Sequence, residues 1–459
     1  MDRFLVEELE RIVGKEYMTT NRTRMLNYLA DECPAPLRPK PADNIVLVRP
    51  ADVQQVSGVL RTANRHKTPV YPRGGGTGLV GGAVPTQDGI VLSLERMKKV
   101  EVDESNLMVV AEAGVTLREL AEAADLVGLS FPPHPGDENA QVGGLVATNA
   151  GGSRAVRHGV MRSQVKAIQA VLADGTILSL GAKVHKNNVG YDLTQLIIGS
   201  EGTLAVITQA TLRLYPKSPA TMTLIIPYDN RRQALRSVPR ILRGAATPLA
   251  AEYVQRDLVE RTAKHIAASW PVKVGECFLI VILAESSRDQ VLSESMKIAE
   301  LCRADTVYDA YCAEAKSDQE NVLRIRSNIY SALKTETLDV LDITVPPSKL
   351  EEVMEAIDAI AKKHTTHLPI YGHAADGNLH VHIISKPGEN MKYADDVRQA
   401  IYEIATRVGG VITGEHGVGK IRAGKLQTYL TREELELMKS IKRIFDPNGI
   451  LNPGTKISS

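Results

Sequence analysis

Hydrophobic and polar positions divide the chain into stretches of different period. Ile45-Val46-Leu47-Val48 is an unbroken apolar run of strand length, residues 52–64 carry the spacing of an amphipathic helix with Asp52 at its start, and Thr68-Pro69-Val70-Tyr71 is a second such run. This alternation predicts a βαβ start. Ahead of it, residues 1–40 read as helical, with Phe4, Leu5, Leu9, Ile12 and Val13 apolar among mixed charges; they loosen at Cys33-Pro34-Ala35-Pro36 and Pro39-Lys40-Pro41. Beyond Tyr215-Pro216-Lys217-Ser218-Pro219 glycine becomes sparse. Strands over residues 221–227, 276–284 and 338–345 then alternate with long helices over 231–242 and 348–364. That order predicts an antiparallel sheet with helices on one side.

Between these regions lie the glycine clusters. Pro72-Arg73-Gly74-Gly75-Gly76-Thr77-Gly78-Leu79-Val80-Gly81-Gly82 directly follows the second apolar run. Glycine lets a backbone approach a ligand closely and take positive φ, and successive N–H groups turned one way form a nest for phosphate oxygens. The stretch therefore reads as a strand leading into a pyrophosphate-binding loop. Gly76-x-Gly78-x-x-Gly81 matches the dinucleotide fingerprint, but that pattern opens a helix inside a βαβ unit. Here the chain runs into Gly82-Ala83-Val84-Pro85, a turn at Asp88-Gly89 and a strand over 90–94. Two more clusters follow: His134-Pro135-Gly136-Asp137 with residues 143–152, and Gly199-Ser200-Glu201-Gly202 with the apolar run after it. Clusters spread this widely imply one long ligand lying across a domain.

Composition removes several classes. With 459 residues there is room for two or three domains. The balance of 55 basic against 54 acidic residues points to no nucleic-acid surface, and 4% aromatic content leaves few stacking platforms. Cys33, Cys277, Cys302 and Cys312 form no CxxC pair, which argues against an iron–sulfur cluster and a disulfide framework and for a reducing cytoplasm. The N-terminus does not resemble a signal peptide, and the longest apolar run, 278–284, is too short to span a bilayer.

The residues with the most chemistry lie late in the chain. His373-Ala374-Ala375-Asp376-Gly377-Asn378-Leu379-His380-Val381-His382 has a turn signal at Asp376-Gly377 followed by alternation. In an extended strand Asn378, His380 and His382 share one face, and His373, before the turn, can fold back toward them. Thr413-Gly414-Glu415-His416-Gly417 adds a carboxylate and a fourth imidazole. Two histidines and one carboxylate with open positions make a catalytic divalent-metal set. Gly414-x-x-x-x-Gly419-Lys420 looks like a P-loop until Ile421, where that motif needs Ser or Thr. Residues 321–333 read as a helix whose stripe is Val322, Ile325, Ile329 and Leu333; Arg326 falls beside the stripe and Arg324 opposite it. An inward arginine is either a carboxylate-binding group or the partner of a core acid.

The blocks PRGGGTGLVGG, GGLVATNAGG and GSEGTLAVIT, in that order, resemble those of the FAD-linked oxidases related to vanillyl-alcohol oxidase. The histidine blocks narrow the resemblance to the branch of glycolate oxidase flavoprotein subunits, D-lactate dehydrogenases and D-2-hydroxyglutarate dehydrogenases. It implies an α+β chain: an N-terminal helical segment at 1–40, a two-part FAD-binding domain at 41–217, an antiparallel-sheet substrate or cap domain with the metal site at 218–445, and a segment at 446–459 that returns to the FAD domain. FAD is implied to be non-covalent, because Gly75-Gly76-Thr77 lacks the histidine through which some relatives attach it. The implied cofactor-binding residues are Pro72, Arg73, Gly74, Gly75, Gly76, Thr77, Gly78, Leu79, Pro135, Gly136, Gly143, Gly144, Ala147, Asn149, Gly152, Glu201, Gly202, Ile207 and Asn452.

The resemblance also distributes roles. His373, His380 and Glu415 match the metal ligands, for which zinc, iron and manganese are all suitable. His416 matches the general base. Arg326, in Leu323-x-x-Arg326-x-x-Ile329, matches the arginine that binds the substrate carboxylate. Asn378 and His382 are the implied substrate contacts, His382 standing where relatives often carry Asn. Relatives acting on longer diacids tend to carry a lysine just before the strand that ends in Asp342-Ile343-Thr344-Val345-Pro346; none stands here, so a small D-2-hydroxy acid, D-lactate or glycolate, is implied. The implied reaction yields the 2-oxo acid with hydride passed to flavin N5. Electrons then leave to electron-transfer flavoprotein, an iron–sulfur subunit or a quinone. D-2-hydroxyglutarate dehydrogenase and a non-catalytic flavoprotein subunit stay open as alternatives. So do homodimer and hetero-oligomer, and peripheral attachment to the inner face of a membrane.

Overall fold

The computed structural model describes residues 2–244, 247–385 and 391–457. Its internal contacts divide the chain into two units: Met1–Ala150 with Val160–Lys217 and Glu415–Ser459, and Gly151–Gly159 with Ser218–Gly414.

Among the described residues the first unit holds a two-stranded sheet, which pairs Leu129–Ser130 with Tyr215–Pro216, and two larger ones. One has the order Met18–Thr19, Ile45–Val48, Gly89–Ser93, Val70–Arg73, with its three longer strands parallel. Gly89–Ser93 thus slots between the two strands of the βαβ start. The helix between them, Val53–Arg65, is capped by Asp52, whose Oδ1 accepts from the Gln55 amide at 2.9 Å. Ile45–Val48 is buried throughout, which is why it reads as a continuous apolar run. The other sheet is antiparallel, with the order Val100–Asp103, Met108–Glu112, Val206–Arg213, Val165–Val171, Ile177–Gly181.

Two expectations change here. Of residues 1–40, only Arg3–Val13 forms an α-helix; short 3₁₀ turns at Lys15–Tyr17 and Arg22–Tyr28 follow. The chain also re-enters the first unit at Glu415, well before residue 446. The helix Arg432–Phe445 is fastened there by Lys442, a buried ammonium that donates to Thr203 O at 2.7 Å and Leu451 O at 3.0 Å and pairs with Asp446 at 2.5 Å.

The second unit is one seven-stranded sheet, antiparallel at every pairing. Its order is Tyr311–Ala313, Ala220–Tyr228, Cys277–Glu285, Ala250–Gln255, Ile370–His373, Asn378–Ile384, Thr337–Thr344. Helices cover both faces rather than one. Against one face, Leu258, Val259, Val322, Ile325, Ile329 and Leu333 pack on Ile225, Val254, Phe278 and Ile280. On the other, the helix Arg288–Cys302 reaches Met222 through Ser295, and the helix Met391–Arg407 reaches Asp339 through Arg398. The helix read over 321–333 is two, Lys316–Ser327 and Ile329–Leu333. Asn328 ends the first by donating its side-chain amide to Arg324 O at 2.8 Å, which takes a carbonyl out of the helical ladder.

Candidate active site

The Thr337–Thr344, Asn378–Ile384, Ile370–His373 and Ala250–Gln255 strands lie side by side. Residues paired across an antiparallel ladder point to the same face. The register sets Asp342 against His380, His380 against Tyr371, Asn378 against His373, and His373 against Glu252. These side chains therefore form a polar island at one end of a face that is otherwise apolar. The hairpin joining the two histidine strands needs Gly377 at φ 80°, where a Cβ would collide with Val345 O.

Each charged group on this face is held by another. Glu252 Oε1 lies 2.6 Å from His373 Nδ1, and Oε2 lies 2.5 Å from Arg326 Nη2, with the Glu252 side chain only 1% exposed. The Arg326 contact is coulombic, without the angle of a hydrogen bond, and Arg326 Nε is buried with no hydrogen-bond partner among the described residues. Burial pushes the Glu252 carboxyl up, but Arg326 and His373 outweigh it and hold it below the ordinary carboxylate range. An ionised carboxylate only accepts, so His373 Nδ1 carries the hydrogen. Tyr371 supports the arginine from below, its ring centroid 4.7 Å from the guanidinium carbon.

Asp342 does the matching work beside His380, whose Nδ1 is 3.5 Å from Asp342 Oδ1. Asp342 also accepts from Asn378 Nδ2 at 2.8 Å, Thr413 Oγ1 at 3.1 Å and the Gly414 amide at 2.9 Å. The His373 and His380 rings meet edge to face with centroids 5.3 Å apart. Two imidazoles side by side on one face, each with Nδ1 near a carboxylate, suit a divalent cation. Glu415 and His416 follow Gly414 in the chain and open the last segment of the first unit, His416 Nε2 lying 3.8 Å from Glu415 Oε1. Arg326 lies beside its stripe as the spacing predicts, and Arg324 is exposed.

His382, expected as a substrate contact, is engaged on both ring nitrogens by the protein. It is 0% exposed, with Nδ1 2.9 Å from Thr337 Oγ1 and Nε2 3.2 Å from Tyr371 Oη. Since the Thr337 hydroxyl donates to Leu333 O, it accepts from His382. Both ring nitrogens thus serve the fold. Asn378 is similarly committed through its amide nitrogen, which also reaches Ile343 O and Thr344 Oγ1.

In the first unit the three glycine clusters converge. Gly74 lies against Gln141 and the Gly144 amide, Gly202 against the Pro72 ring, and the Gly199 and Glu201 amides donate to Val146 O and Ala147 O at 3.1 and 2.7 Å. Asn452 closes the group by donating to Gly82 O at 3.1 Å and Glu201 O at 2.8 Å. Three residues expected here, Asn149, Glu201 and Asn452, sit at positive φ without being glycine, a cost of the kind that clusters at ligand sites. Gly143 is glycine for packing, since a Cβ would come 2.7 Å from Ala113 Cβ; Gly78, Gly136 and Gly144 would meet nothing within 4 Å. Arg73 Nη1, Gln141 Oε1 and Ser200 Oγ are buried with no hydrogen-bond partner among the described residues. Bare backbone and orphaned polar atoms together fit a large polar cofactor. Gly152 is the exception, falling in the short segment assigned to the second unit. Arg73 turns inward, donating to Asn27 O at 2.6 Å.

Residues 217–455 match the family described as FAD linked oxidases, C-terminal domain, and residues 45–181 match the FAD binding domain. The chain belongs to the FAD-linked oxidases. This FAD-linked oxidase is 43% identical over 427 residues to a D-lactate dehydrogenase of Archaeoglobus fulgidus, covering 93% of this chain and 94% of the relative. It is 32% identical over 454 residues to a glycolate oxidase subunit of Bacillus subtilis, covering 98% and 95%. A structure of p-cresol methylhydroxylase with substrate bound shares its fold, with a TM-score of 0.79 at 18% identity over 99% of this chain and 96% of that one. Among the described residues, no helix of the oxidase is long and apolar enough to cross a membrane.

Four residues of the oxidase escape a reading of sequence alone. Glu252 is bonded to His373, Asp342 lies 3.5 Å from His380 Nδ1, and Gln141 lines the cradle. Lys420, set aside with the failed P-loop motif, is half-buried and donates to Gly82 O, Asn452 Oδ1 and Thr455 Oγ1 at 3.1, 2.9 and 2.7 Å. Glu201 accepts from the Val418 and Gly419 amides at 2.9 and 2.7 Å, fixing the backbone just after His416.

Proposed function

We propose that this oxidase converts a small D-2-hydroxy acid, D-lactate or glycolate, to the 2-oxo acid with a divalent cation and FAD. The observation that carries the reading is the polar face: His373 and His380, with Nδ1 2.6 and 3.5 Å from the carboxylates of Glu252 and Asp342, and beside them a guanidinium with Nε unpartnered among the described residues. The relative named D-lactate dehydrogenase supports the same substrate class.

In this reading His373, His380 and Glu415 hold the cation. Arg326 binds the substrate carboxylate, with Nε and Nη groups in the fork geometry that suits it. His416 accepts the hydroxyl proton as general base. The glycine cradle holds FAD non-covalently through backbone amides. When bound, the cation would supply Lewis-acid lowering of the hydroxyl pKa and FAD would supply the acceptor for the C2 hydrogen as hydride at N5. The two electrons then pass to electron-transfer flavoprotein, an iron–sulfur subunit or a quinone.

The test is stopped-flow bleaching of the oxidised flavin by D-lactate, glycolate, L-lactate and D-2-hydroxyglutarate. Bleaching by D-lactate or glycolate ahead of the others supports the reading. A flavin left oxidised by all four contradicts it, and one reduced fastest by D-2-hydroxyglutarate reassigns the substrate.

A further inference from the structure

Glu252 takes no part in the reaction proposed above, yet each of its oxygens touches a group that does: Oε1 the His373 ring nitrogen at 2.6 Å, and Oε2 the Arg326 guanidinium at 2.5 Å. It stands inside the Ala250–Gln255 strand, paired with His373 on one side and Ile280 on the other, where both neighbouring side chains in its own strand, Ala251 and Tyr253, are buried. A carboxylate in such surroundings costs stability unless it is paired, and an apolar residue of similar volume would serve the core at least as well.

Its two contacts have distinct chemical consequences. The contact with Nδ1 places a hydrogen on that nitrogen and fixes the ring orientation, the arrangement by which a carboxylate readies the other ring nitrogen for a metal. The contact with Nη2 limits the swing of Arg326 while leaving Nε without a partner among the described residues. We propose that Glu252 is a positioning residue that sets the ligand-ready form of His373 and the aim of Arg326 with one carboxylate, joining the cation site to the site for the substrate's carboxylate. This rests on the metal-dependent reading given above.

The experiment compares flavin-loaded wild type, Arg326→Met and the double variant Glu252→Leu/Arg326→Met. The double variant replaces the ion pair by two apolar side chains and so avoids a stranded buried charge. Each protein is stripped with a chelator and titrated calorimetrically with Mn²⁺, Zn²⁺ and, anaerobically, Fe²⁺; flavin content and melting temperature serve as controls. The double variant should bind the cation about 10–100-fold more weakly than Arg326→Met at equal flavin content. Equal affinity in those two proteins overturns the assignment and leaves the metal-dependent reading standing. A wild type that takes up none of the three cations overturns that reading and this one with it. Glu252→Gln keeps an acceptor for His373 but turns an amide toward Arg326, so it should raise the D-lactate KM about tenfold; an unchanged KM overturns the Arg326 half.

Discussion

The glycine cradle and the polar sheet face solve opposite problems. In the cradle the protein withholds side chains: Gly78, Gly136 and Gly144 have nothing within 4 Å of where a Cβ would stand, and what remains to meet a ligand is backbone. On the sheet face the protein supplies charged side chains in a setting hostile to them, and every charge is answered, Glu252 by His373 and Arg326, Asp342 by Asn378, Thr413 and Gly414. The cradle tolerates variation wherever the backbone path survives. The face depends on matched partners, so single changes there should cost more.

The largest effect should come from His416. His416→Ala should lower turnover of D-lactate by about 10²–10⁴-fold with wild-type flavin content, read from steady-state rates and the flavin-to-protein absorbance ratio. A proportional loss of flavin would instead assign His416 to the cradle. Next comes the buried pair. Arg326→Met removes the permanent cation beside the buried Glu252 carboxylate and should destabilise by about 3–5 kcal/mol in denaturant titrations, while Glu252→Leu/Arg326→Met should regain most of that. A double variant no more stable than the single would show that the pair is not coupled.

The cradle should respond more gently. Burial holds Lys420 down to about 7, the Asp31 and Glu201 carboxylates restoring only part of the loss. The unfolded chain keeps this proton up to the ordinary lysine range, so above about pH 7 the unfolded state binds more protons and the fold gains stability as pH rises. The gain is at most about 1.4 kcal/mol per pH unit. Lys420→Met removes that slope, so melting curves at about pH 7 and about pH 9 should show the wild type pulling ahead at the higher value; a gap independent of pH contradicts the assignment. Smallest is Gly144→Val. It should weaken FAD binding about tenfold, roughly 1.4 kcal/mol, with the apoprotein melting unchanged, whereas Gly143→Val should destabilise the apoprotein because Ala113 blocks it. Equal behaviour of the two would erase the distinction between packing and ligand-facing glycines.

The same contrast explains what the sequence discloses. The cradle is written in local runs, and the absence of a helix after Gly81 and Gly82 follows from Pro85 and the Asp88-Gly89 turn, as the chain indeed folds. On the sheet face, alternation correctly puts Asn378, His380 and His382 on one side. Alternation says nothing of the partners each imidazole takes, and His382 is engaged by Thr337 and Tyr371. Glu252 is invisible because its partners are 74 and 121 positions away in the numbering, at Arg326 and His373. Its one local trace is a lone acid in Leu249-Ala250-Ala251-Glu252-Tyr253-Val254, which must find a partner if the run is buried. Helices on both faces were legible in the unbroken apolar run of 278–284, since a strand with one wet face alternates.

The central claim is that a divalent cation and a flavin act together on a 2-hydroxy acid. The direct test is the rate of flavin bleaching by D-lactate in protein that keeps its full flavin content, before chelation, after chelation and after return of Mn²⁺, Zn²⁺ or Fe²⁺. The account predicts a rate lost on chelation and restored by at least one of the cations. Chelated, flavin-replete protein that bleaches at the original rate would contradict it.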